Sequence, residues 1–385
     1  MNITTSLRIT DAFGRFLVSV PNYISLDYTL NSSPGGVGML ELTLPASFPL
    51  LYLFKDGRII PMRSVNGSSP AMDNGAVFLI KHVKVYATKT VIRAYHANLL
   101  ASYRIIAYPA GSTYTSKAAT PADDLIKTLW KENAGTSIVG ADRDGDDTQA
   151  DISAYVSVQA NLSQGASIAE SCTREILANT MRRLCEASTT AGTYLTFEIF
   201  GPTESTLELR TYAVQRGVNR GLTTSAPFVL SESRGNLENV VLTTDYTSEK
   251  TFIIAGGQGQ GVDRMILTSY DTPRMGTSPF GRIEDFLDYS NTYSSTVLQD
   301  QADSALWYAR PTNLIAGDLI PTPTAIRGIH YDLGDIVSVE HPRTGIQFNA
   351  RLDVIHEHFE AGQPGITAQS VAGTQTTIAR LRSVS

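Results

Sequence analysis

Residues 39–44 set leucine against polar side chains in strict alternation, with Leu40, Leu42 and Leu44 on one side and Glu41 and Thr43 on the other. A period of two puts one set on each face of a pleated strand and leaves no helical stripe. Short runs of the same kind recur from residue 1 to about residue 100. Residues 7–10, 16–20 and 24–30 are separated by turn clusters at 11–14 and 32–36. Asp56-Gly57 leads into Arg58-Ile59-Ile60, Asp73-Asn74-Gly75 leads into residues 76–80, and residues 83–86 and 90–95 follow. Six to eight short strands at this spacing predict a barrel or a sandwich.

Helical signals enter after residue 105. Thr120 is placed to cap, Pro121 to start, and Asp123 and Asp124 to face the dipole of a helix whose stripe is Leu125, Ile126, Leu129 and Trp130. Ile168, Cys172, Ile176, Leu177, Met181 and Leu184 predict a second helix over 167–187. That helix would hold Cys172 and Cys185 on opposite faces, out of reach of a disulfide. Residues 194–200 and 206–212 predict a hairpin, residues 295–309 a third helix, and residues 331–339 a turn into an alternating strand.

Residues 252–289 carry the most distinctive pattern. The run Phe252-Ile253-Ile254 enters glycines at 256, 257, 259 and 261, and a second β-like run, 264–268, follows at once. This is a hairpin with a wide glycine tip. It is not a dinucleotide loop: after Gly257 and Gly259 the required third glycine is Val262, and no helix follows to hold a pyrophosphate. Beyond the loop lie Arg282, Glu284, Asp285 and Asp288, which at helical spacing would put Glu284 and Asp288 on one face beside Arg282. An Arg–carboxylate pairing is the expected role there, ahead of paired catalytic carboxylates.

Several pieces together resemble the hub-type tail proteins of long-tailed bacteriophages. They are Gly257-Gln258-Gly259 through Arg264, then Arg282, Glu284, Phe286 and Asp288; residues 23–28, 38–45, 55–60 and 94–106; and Gly334-Asp335-Ile336-Val337 preceded by Tyr331, which is also similar to closing strands of related secretion-spike proteins. The resemblance implies a mainly β protein with an α/β insertion: two tube-type β-barrel domains plus peripheral α/β segments. The expected divisions are a first barrel over 1–104, a peripheral α/β insertion over 105–224, a second barrel over 225–360 containing helix 295–309, and a flexible or partner-bound tail over 361–385. Gly257, Gly259, Arg264, Arg282, Glu284, Asp288, Gly334 and Asp335 are the structural motif residues it singles out. No plain repeat relates the two barrels, so their duplication rests on the resemblance alone. Family members form a homotrimer that joins the sixfold tail tube or distal tail protein to a threefold spike, fibre or tape-measure protein. Phage DNA passes through without specific binding. The expected location is the virion tail tip, after synthesis in the host cytoplasm.

The remaining chemistry is consistent with a structural role. Net charge is −6 and no basic run occurs, so a grip on nucleic acid is not expected. Only two cysteines occur, which excludes a disulfide framework. No apolar run is long enough to span a membrane. Asp142, Asp144 and Asp146 occupy the first three ligand positions of an EF-hand-type loop. Asp147 stands where glycine is needed and Ser153 where the closing glutamate is needed, so the stretch reads as a solvated acidic turn before it reads as a calcium site. His356 and His358 share a face of their strand, with Glu357 pointing away, and exposed strand histidines are expected there ahead of a metal site. No catalytic residue, cofactor or metal ligand is therefore expected. The competing readings are a wall-degrading tail enzyme using Glu284 and Asp288, and a carbohydrate-binding β module.

Overall fold

The computed structural model describes residues 3–107, 115–138, 150–172, 174–341, 343, 345–361 and 368–375. The alternating segment becomes eight strands: β1 (Ile3–Thr10), β2 (Phe16–Val20), β3 (Ser25–Asn31), β4 (Met39–Pro45), β5 (Arg58–Val65), β6 (Ala71–Met72), β7 (Phe78–Val85) and β8 (Lys89–His96). Leu40, Leu42 and Leu44 are fully buried and Glu41 lies on the opposite face, as the period requires.

An α/β unit follows: β9 (Thr115–Pro121), α1 (Ala122–Ala134), β10 (Val156–Val158), β11 (Ser167–Cys172), α2 (Leu177–Thr190), β12 (Leu195–Phe200) and β13 (Leu207–Ala213). Two expectations change here. The helix predicted over 167–187 is a strand, β11, followed by the shorter α2. Ile168, Cys172 and Ile176 are spaced by four, and a spacing of four satisfies both a helical stripe and one face of a strand. Cys172 and Cys185 thus lie on different elements; both are buried free thiols. Thr120 belongs to β9 and does not cap α1, whose N-cap position is Pro121. Asp123 and Asp124 do stand in the first turn of α1; both are buried, and they accept hydrogen bonds from the Leu162, Ser163 and Gln164 amides.

The chain returns through β14 (Asn219–Arg220), β15 (Val229–Ser231) and β16 (Leu237–Asp245). A second small α/β unit is built from β17 (Phe252–Gly256), β18 (Ile266–Tyr270), α3 (Thr272–Thr277), β19 (Glu284–Asp288) and α4 (Ser295–Tyr308). The glycine hairpin forms as expected, β17 against β18, but the acidic patch is a strand and not a helix. Last come β20 (Thr312–Leu319), β21 (Ile336–His341), β22 (Ile346–Glu360) and β23 (Ala368–Gln375). Part of the stretch expected to be a tail is therefore sheet: β23 lies between β20 and β22.

Among the described residues, fifteen strands form one sheet whose main path runs β16-β20-β23-β22-β3-β4-β8-β7-β5-β1-β2. The strands of the two stretches expected as barrels lie side by side in it and meet at β22 and β3, paired antiparallel from Val354↔Asn31 to Glu360↔Ser25. The long β22 manages this by pairing β21 with its first part and β3 with its second along one edge, and β23 along the other. One core serves both halves, placing Leu26, Leu42 and Phe78 in a cluster with Leu237, Val337, Leu352 and Phe359. The first α/β unit has a second core that also takes Ile60, Met62 and Val77 from β5 and the turn before β7. The second α/β unit has its own small core, in which Leu298, Ala302 and Leu306 of α4 cover Ile253 and Ala255 of β17.

Candidate functional site

The seam between β3 and β22 is where the chain puts charge into its core. Tyr28 and Glu357 are register partners there, 1% and 0% exposed. Arg327, from the loop between β20 and β21, donates to both oxygens of Glu357 at 2.7 and 2.8 Å and to both of Asp73 at 2.9 and 2.5 Å. Arg63 on β5 donates through one nitrogen to Glu357 at 2.7 and 2.8 Å. The Tyr28 hydroxyl lies 2.6 Å from an oxygen of each acid and donates to one at a time. Gln369 on β23 donates to Glu357 at 2.7 Å and accepts from the Tyr331 hydroxyl at 3.0 Å.

The two guanidinium and two carboxylate charges cancel, which is what makes their burial tolerable. Burial alone would push Asp73 up, but the charge and hydrogen bonds of Arg327, helped by Arg63 and Tyr28, hold it at about 2. Glu357 is lowered in the same way: burial opposes, and Arg327 and Arg63 prevail. Burial, then the two carboxylates, push the Tyr28 phenol up. Tyr28, Arg63, Asp73, Arg327, Glu357 and Gln369 are all at most 8% exposed, so the cluster joins elements and offers nothing to a substrate. Sequence reasoning missed it. Its one local signal is a glutamate at a core position, between Ile355 and Phe359 on an alternating strand.

The eight residues singled out in the sequence fall in two places. Six belong to the small sheet β18-β17-β19 and the loops that join it: Glu284 and Asp288 are on β19, and Gly257, Gly259, Arg264 and Arg282 lie in adjoining loops. Gly259 has φ +108°, and a Cβ there would stand 2.4 Å from the Asp263 carbonyl oxygen, so only glycine suits the tip. A Cβ on Gly257 would press on Leu298 of α4 at 3.0 Å. Arg264 pairs with Asp288 and lies over the Phe286 ring; Arg282 pairs with Glu284 and lies 3.4 Å from the centre of the Phe252 ring. Glu284 and Asp288 lie along a strand, where four residues span about 13 Å. Carboxylates that cleave a glycoside stand about 5–9.5 Å apart. The remaining two form a turn elsewhere: Gly334 has φ +82°, and Asp335 accepts from the Val218 and Asp332 amides and from Arg220.

His356 and His358 do share the outer face of β22, with Glu357 on the other, and both lie beside Asp27 of β3, at 3.7 and 2.5 Å. Among the described residues no group of three or more His, Cys, Asp or Glu side chains is arranged to hold a metal ion. The acidic stretch 142–147 lies outside the described residues. Among the described residues no helix is long and apolar enough to cross a membrane. A cleft of about 200 Å³ lies between Phe13, Arg58, Leu100, Tyr155 and Leu207, with a mostly apolar lining.

What remains open is the sheet itself. Among the described residues β2 pairs only with β1, and β16 only with β20, so the main path ends in two unpaired edges. Phe16 and Leu17 are exposed at one end and Val241 at the other. Free edges of this kind are templates for another chain.

The model of the family described as Siphovirus ReqiPepy6 Gp37-like protein matches residues 6–373. No curated protein sequence matches the chain. Among solved structures, the tail protein from Neisseria meningitidis MC58 superimposes with a TM-score of 0.57 at 14% identity, over 98% of this chain and 97% of that one. The 43 kDa tail protein of prophage MuSo2 from Shewanella oneidensis does so with a TM-score of 0.53 at 11% identity, over 96% and 97%. At these identities what is shared is the fold, which is that of phage tail proteins.

Proposed function

The chain belongs to the Siphovirus ReqiPepy6 Gp37-like protein family, and from that premise we propose that it is the structural hub of a siphophage tail tip. In this reading three copies close into a ring that joins the sixfold tail tube, or the distal tail protein, to a threefold spike, fibre or tape-measure protein. Each copy brings two tube-type modules, one from β1–β8 and one from β16 and β20–β23, so three copies present six. The observation that carries the reading is the continuous sheet whose two ends are unpaired among the described residues. Ring closure would satisfy those edges, so that neither end of the main sheet would remain to recruit stray chains.

The proposed role is conduit and adaptor, not catalysis. A net charge of −6 opposes retention of DNA, which suits a passage that must let the genome slide. Glu284 and Asp288, the carboxylates an enzyme reading would use, are each tied to an arginine. Imaging of isolated tails tests the proposal: three copies around an open channel are expected at the tip. A single copy per tail, or a closed dimer without a channel, would sink it. Cell-wall zymography of the purified protein is expected to leave no cleared zone, and a zone that disappears with Glu284→Gln would make the chain an enzyme.

A further inference from the structure

The open edge of β16 is half of a ladder, and β7 carries another open half. β7 is paired with β8 throughout, but with β5 only at Phe78 and Leu79. Among the described residues, 81–85 therefore have no ladder partner on the β5 side, and all five are exposed except the half-buried Val83.

The two edges are opposite in charge. β7 carries Lys81, His82 and Lys84 and no acid. β16 carries Glu238 and Asp245 and no base, and its neighbour β20 adds Asp318. Among the described residues, no ion pair within the chain takes up Lys81, Lys84, Glu238 or Asp245. Lysines on an edge strand deter pairing with a like edge and admit an acidic one. The apolar faces match as well. On β7, Val83 packs against the main core, and Val85, next but one, continues that face at 68% exposure. On β16, Val240 packs against the same core, and Leu242, next but one, is half-buried.

Strand direction selects between the partners β16 could find. Seven antiparallel steps separate β16 from β7, so the two run in opposite directions. A ring built by rotation about an axis along the strands preserves those directions, and β16 of the next copy reaches β7 antiparallel. Against β2, three antiparallel steps further on, it would arrive parallel, which is the less stable ladder. We propose that β16 of one copy adds to residues 81–85 of its neighbour as an antiparallel strand. This contact presupposes the ring reading given above and names two strands that meet in it; the β2 edge is left to the other contacts of the same ring. Copies that each carry a net −6 repel one another as wholes, and a local pairing of opposite charge offsets that repulsion.

The test places a photocrosslinking amino acid at position 81 or 85 of the full-length chain in assembled tails. Antiparallel addition puts the two ends in opposite order. Position 85 is expected to crosslink to residues 240–242 of another copy and position 81 to residues 244–246, read by mass spectrometry. With the crosslinker at 85, Lys81→Glu with Lys84→Glu should lower the yield about tenfold. Adding Glu238→Lys and Asp245→Lys to that chain should restore it. The reverse order of crosslinks, products on any other strand, or no intermolecular product overturns the pairing. Imaging of the same tails separates the two ideas, because a three-copy ring without these crosslinks leaves the ring standing and removes this contact.

Discussion

Arg327 neutralises two acids contributed by opposite ends of the chain, and removing it would leave Asp73 in the core without its cationic partner and Glu357 with Arg63 alone. Arg327→Met should therefore cost about 3–5 kcal/mol, measured by urea unfolding of the purified protein, far more than the loss of an exposed pair such as Arg282–Glu284. The same cluster fixes a direction for acid sensitivity. Asp73 and Glu357 are lowered relative to the unfolded chain, so their contribution is complete above their unfolded values near 4 and is lost as pH falls through their folded ones. Urea midpoints should hold steady down to about pH 4 and then drop toward about pH 2. In Arg327→Met the drop should begin at higher pH, because burial without a partner raises a carboxyl. An unchanged acid limb in that variant would remove the cluster from any account of stability.

At the level of elements, the second α/β unit should behave as a semi-independent body. Its core is small, and α4 alone covers the inner face of β17. Leu298→Ala should destabilise the unit by about 2–5 kcal/mol. Hydrogen exchange should then quicken in β17, β18 and β19 while β3 and β22 stay protected. Equal quickening throughout would show that the unit is welded to the rest. This scale is also where the sequence was most and least legible. Strands whose leucines alternate, such as β4, and the glycine hairpin were readable, because period and turn chemistry are local. β11 was misread because residues four apart serve helix and strand alike. The patch at 282–288 was misread because its alternation, Glu284, Phe286 and Asp288 outward with Leu287 inward, is short and diluted by acids. The seam was invisible as a whole: Glu357 sits oddly among apolar neighbours, but nothing local announces that Tyr28, Asp73, Arg63 and Arg327 will surround it.

For the molecule as a whole, the shared sheet makes the halves dependent on one another. β3 lacks its second neighbour without β22, and Tyr28 and Asp73 lose Arg327 and Glu357. A fragment ending at residue 104 should therefore show no cooperative thermal transition by circular dichroism, and a sharp one would establish the first module as self-sufficient. The join has a further consequence during synthesis. Asp27 and its partner His358 are separated by 331 residues. At about 5–20 residues per second, a ribosome takes roughly 15–65 s to deliver the second after the first. Throughout that interval the nascent polypeptide carries a half-finished template, attractive to other emerging chains. The supply of chaperones in the infected cell is thus expected to limit how much of this protein reaches its native state.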